Sequence, residues 1–73
     1  MAMLLITRIT LDEQGELQKR TRLPGFSRSV EDAQQKLKKE VSVYPKHGFD
    51  VEHGYWWAID SGGIKYRFVI GKP

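Results

Sequence analysis

The chain has no cysteine. That excludes a disulfide framework, thiol catalysis and thiolate metal ligation, and it agrees with a cytoplasmic protein. Long apolar runs are also missing. The longest, Met3-Leu4-Leu5-Ile6, falls far short of the about 20 residues of a membrane helix. Met1 to Ile9 lacks the charged and then apolar regions of a signal peptide and reads as part of the fold. No membrane association is expected. Histidine is scarce: His47 and His53 stand alone, without further ligands at metal-binding spacing. No metal and no cofactor is expected, with His53 a structural residue on the core side and His47 in a solvent-exposed loop.

Acids are outnumbered. Nine Asp and Glu face 12 Lys and Arg, for a net charge of +3 in 73 residues. The excess makes nucleic acid the first specific partner to consider, because phosphate contacts need positive charge gathered on one surface. The length fits one small domain, residues 1–73, with a modest core. A hydrophobic content of 40% argues for a folded chain.

Met3 to Leu11 and Glu16 to Leu23 read as two strands around Asp12-Glu13-Gln14-Gly15. A three-residue loop, Glu13-Gln14-Gly15, gives glycine the left-handed position such loops need. Leu11 then faces Leu17, Ile9 faces Lys19, Thr7 faces Thr21 and Leu5 faces Leu23. One face gathers Leu5, Ile9, Leu11, Leu17 and Leu23. The other gathers Leu4, Ile6, Arg8, Thr10, Gln18, Arg20 and Arg22. Pro24-Gly25 ends the strand.

Ser29 is a good N-cap, and Glu31 and Asp32 suit the positive end of a helix. Val30, Ala33, Leu37, Val41 and Tyr44 recur at helical spacing, and Pro45 stops the pattern. Lys36, Lys38 and Lys39 lie off this stripe and read as a solvated face.

Phe49 to Ile70 reads as a second hairpin with its tip at Asp60-Ser61-Gly62-Gly63. A two- or four-residue loop pairs Ile59 with Ile64, Trp57 with Tyr66, Tyr55 with Phe68 and His53 with Ile70. That face is apolar and aromatic and belongs against the helix. The opposite face carries Trp56 across from Arg67 and Ala58 across from Lys65. Adjacent tryptophans must point to opposite sides of a strand, so Trp57 is expected inside and Trp56 outside.

The fold class expected is α+β, ββαββ: two antiparallel hairpins in one sheet, one helix on one face, the other face open and basic. The site residues expected on that open face are Arg8, Arg20, Arg22, Trp56, Lys65 and Arg67, with no acid at its central positions. An aromatic among arginines on an open sheet suits nucleic acid, with bases stacking on the ring and phosphates meeting the cations. The alternative is a protein partner or a homodimer through the same face or an edge strand.

No enzyme is expected. Asp60-Ser61-Gly62-Gly63 matches a serine-protease nucleophile segment in letters only, since a hairpin tip in a chain this short lacks the base, the orienting acid and the oxyanion hole. The glycines also lack the spacing of a phosphate-cradling loop. The layout of hairpin, Gly25-Phe26-Ser27, then a helix with Glu31, Asp32, Ala33 and Leu37 resembles the arm-binding domains at the N-terminus of phage-type tyrosine recombinases. The likeness spans residues 8–40 and implies DNA binding through a sheet face. The chain departs from that pattern in its second hairpin, and no site residue is carried over.

Overall fold

The computed structural model describes residues 3–72. Its elements are β1 (Leu5–Leu11), β2 (Leu17–Arg22), α1 (Val30–Val41), β3 (Lys46–Asp50), β4 (Tyr55–Ile59) and β5 (Lys65–Gly71). The fold is α+β, with five antiparallel strands in one open sheet of order β2-β1-β5-β4-β3 and a single helix. The order of elements is ββαβββ rather than ββαββ. Phe49 to Ile59 is not one strand. Asp50 breaks it: its side chain accepts from the His53 amide at 3.0 Å, and its carbonyl accepts from Gly54 at 2.7 Å.

Two loops share one wiring. At the β1–β2 tip, Asp12 Oδ1 accepts from the amides of Gln14 and Glu16, both at 2.9 Å. At the β4–β5 tip, Asp60 Oδ1 accepts from Gly62 and Ile64, again at 2.9 Å. In each loop the last residue, Gly15 or Gly63, adopts a positive φ of 80° or 84°, which a side chain would strain. Both are three-residue loops. The first was expected; the second was expected to hold two or four residues.

That single residue inverts the second hairpin. Trp56 pairs with Phe68, Trp57 with Arg67, Ala58 with Tyr66 and Ile59 with Lys65. The first hairpin starts as expected, Leu11 opposite Leu17, but its register shifts between Thr10 and Leu11. Gln18 becomes the extra residue of a β-bulge, and Ile9 then faces Arg20 and Thr7 faces Arg22.

Ser29 caps α1 through its Oγ, 3.1 Å from the Asp32 amide, and Ala33, Leu37 and Val41 are buried on its inner face. Val30 is exposed, and Tyr44 lies beyond the last turn. The segment containing α1 crosses from β2 at one sheet edge to β3 at the other, and α1 itself packs on β1, β5 and β4. The core is Leu37, Val41, Ala58 and Phe68, all fully buried, ringed by Ile6, Leu23, Tyr44, Trp56, Tyr66 and Ile70. Burial of such side chains contributes about 1.5–3 kcal/mol each. No helix among the described residues is long and apolar enough to cross a membrane.

Candidate functional site

The register sorts every strand residue onto one face. On the helix side a row runs Thr21, Arg8, Phe68, Trp56, Phe49 across all five strands. On the other side a row runs Arg20, Ile9, Arg67, Trp57, Gly48. A second row on that side runs Leu17, Leu11, Lys65, Ile59, Lys46. Thr7 lies there opposite Arg22 and Val69, and Asp50 opposite Tyr55. No described element covers this second side.

Four of the six expected site residues are therefore together on the open face: Arg20, Arg22, Lys65 and Arg67. Two are not. Trp56 faces the helix, with its ring 5.2 Å from that of Phe49, and its Nε1 is buried without a partner among the described residues. Arg8 also faces the helix. Its Nη1 donates to the Tyr44 hydroxyl at 3.5 Å, and its guanidinium lies 5.3 Å from the centre of the Tyr66 ring. The causes differ. The three-residue loop at Gly63 turns Trp56 over, whereas β1 keeps its expected alternation: the helix covers its Ile6 side, and the bulge at Gln18 parts Arg8 from Arg20 and Arg22.

The open face instead holds Trp57 and Tyr55, both expected in the core. The Trp57 indole lies across Gly48, so that a Cβ built on that glycine would fall 2.9 Å from Cζ2. The Arg67 guanidinium sits 4.9 Å from the centre of the Tyr55 ring, a cation–π contact. His53 stacks on the same ring, 5.9 Å between centroids, and its Nδ1 lies 3.0 Å from Asp50 Oδ2. His53 is thus exposed at the rim rather than in the core. The Asp50 carboxyl is held below its ordinary pKa, first by the His53 amide and then by the His53 ring.

Between these side chains runs a shallow groove of about 240 Å³, lined by Leu11, Tyr55, Trp57, Ile59, Lys65 and Arg67. No acid stands on this face in β1, β4 or β5; Asp50 is at the β3 rim. The signal that would have placed Trp57 outside was in the sequence. Asp60 to Gly63 repeats the aspartate-to-glycine spacing of Asp12 to Gly15, and that spacing predicts a three-residue loop in both places.

On the helix side, Tyr66 donates to Asp60 Oδ2 at 3.0 Å. Burial and this bond push the Tyr66 phenol up, while the Ile64 amide, more than Tyr66, holds Asp60 down. The pair fixes the β4–β5 tip to the sheet. Among the described residues there is no group of three or more His, Asp or Glu placed to hold a metal ion. No family model, no curated protein and no solved structure matches this chain.

Proposed function

We propose that this protein is a small non-enzymatic binding domain that takes nucleic acid on the sheet face opposite the helix. The observation that carries the reading is the row Arg20, Ile9, Arg67, Trp57, Gly48. It sets Trp57 opposite Arg67 on neighbouring inner strands of an uncovered face, with Arg22, Lys65 and Lys46 around them. Cations attract the phosphate backbone, and the ring offers a stacking surface indifferent to base identity. The test is titration of labelled single- and double-stranded oligonucleotides at low salt. Binding that weakens steeply with salt supports the reading; no binding to either form overturns it.

A second reading has its own support. Leu5, Ile9, Leu11 and Val69 share that face, and Leu17, paired with Leu11 there, is 47% exposed. Apolar residues in such a patch suit a homodimer that presses two sheets together. Light scattering would then report twice the monomer mass, and Ile9→Lys would restore the monomer.

A further inference from the structure

We infer that the nucleic acid this face accepts is single-stranded, with one unpaired base lodged against Trp57 in the groove between β4 and β5. The inference rests on the nucleic-acid reading above and adds the form of the ligand. Three observations support it.

The first is width. Five strands at about 4.8 Å spacing make a face about 19 Å across, whereas the major groove of a duplex is about 12 Å wide. Trp57 lies on β4, inside the β3 edge, and Arg67 on β5 is the middle strand. A duplex whose groove is not opened meets a face this wide with its phosphates, and its base edges then stay away from both residues. A single strand has no such obstacle, since its bases splay out.

The second is the groove. At about 240 Å³ it is smaller than the about 300 Å³ at which drug-sized pockets begin, and it is open along its length. It suits one planar ring system with the attached backbone left outside. Its walls divide by chemistry. Trp57 and Ile59 form one side, and Lys65 and Arg67 form the other. A base placed there stacks on the indole while its phosphates meet the two cations. The Tyr55 ring, already engaged by His53 and Arg67, holds Arg67 in place.

The third is preorganisation. Gly48 gives the indole a bed on the edge strand. A ring held there loses little freedom when a base arrives, which favours binding.

The experiment compares a labelled single-stranded oligonucleotide with the duplex of the same sequence, by anisotropy at low salt, for the natural protein, Trp57→Leu and Trp57→Phe. Circular dichroism checks that both variants fold. The expected result is single-strand binding at least tenfold tighter than duplex binding, reduced about tenfold or more by Trp57→Leu. Trp57→Phe keeps a ring and should recover part of the loss. Duplex binding as tight as single-strand binding, or an unaffected Trp57→Leu, overturns the inference while leaving the nucleic-acid reading intact. Absence of binding to both forms overturns that reading, and the inference with it.

Discussion

Trp57 lies across Gly48, close enough that the glycine's missing Cβ would come within 2.9 Å of Cζ2 and 3.1 Å of Nε1. The two residues are direct cross-strand partners of β3 and β4. The backbone at Gly48 does not need glycine, since its φ is not positive; the indole does. Gly48→Ala should therefore leave the fold in place and displace the ring. The expected outcome is a shifted Trp57 emission spectrum and weaker oligonucleotide binding, with a circular dichroism spectrum like that of the parent.

The two adjacent tryptophans should separate cleanly by experiment. Trp56 packs on Phe49 and borders the core, so Trp56→Ala should cost about 2–4 kcal/mol of stability. Trp57 is half-buried on the open face, and Trp57→Leu should change stability by about 1 kcal/mol or less. Urea unfolding of the two variants measures both. Equal losses would mean that the faces are assigned wrongly.

The salt dependence of binding should identify which cations meet phosphate. Each single-strand phosphate contact contributes about 0.7 to the slope of log K against log salt. Arg67→Gln and Arg20→Gln should each flatten the slope by about that amount. Arg8→Gln should leave it unchanged, because Arg8 lies on the helix side with Tyr44 and Tyr66.

Acid should destabilise the fold through two carboxylates. Asp50 and Asp60 are both held below their ordinary value of 3.8. The unfolded chain thus takes up protons before the folded one does. Their contribution is present above the ordinary carboxylate value and is lost as pH falls through the lower native value. Tyr66 runs the other way. Its phenol is raised above 10.0, so its contribution is complete below that pH and lost as pH rises through the native value. Denaturation midpoints measured across pH should fall at both ends. Asp60→Asn keeps the turn's acceptor oxygen but should shrink the acid-side change.

Thr21 offers a stabilising substitution. Its Oγ1 is buried without a partner among the described residues, and an unmatched buried hydroxyl costs about 1–3 kcal/mol. Thr21→Val keeps the volume, suits a strand and removes the hydroxyl. It should raise stability by about 1 kcal/mol, read as a higher urea midpoint with an unchanged slope.

Local chemistry alone accounts for much of this architecture. Ser29, the acids after it and the stripe Ala33, Leu37, Val41 mark the helix in the sequence, since capping and periodicity act within a few residues. Gly15 specifies its loop for the same reason, and Gly63 does so just as plainly. Alternation also places Arg20 with Arg22 on one side of β2, and Lys65 with Arg67 on one side of β5.

Tertiary structure decided which side of each strand meets the helix. β1 and β5 are neighbours near the middle of the sheet, held by pairings such as Ile6 with Ile70 and Ile9 with Arg67. β1 carries apolar residues on both faces, Ile6 on one and Leu5, Ile9 and Leu11 on the other. Alternation cannot rank two apolar faces. The bulge at Gln18 then sets a register that depends on hydrogen bonds between β1 and β2. The sequence determined that one tryptophan must leave the core, and the loop ending at Gly63 already sets Trp57 on the side of Arg67. Only the packed sheet decided which side of β1 and β2 joins it, because β1 is apolar on both faces and its pairing with β5 is a long-range contact.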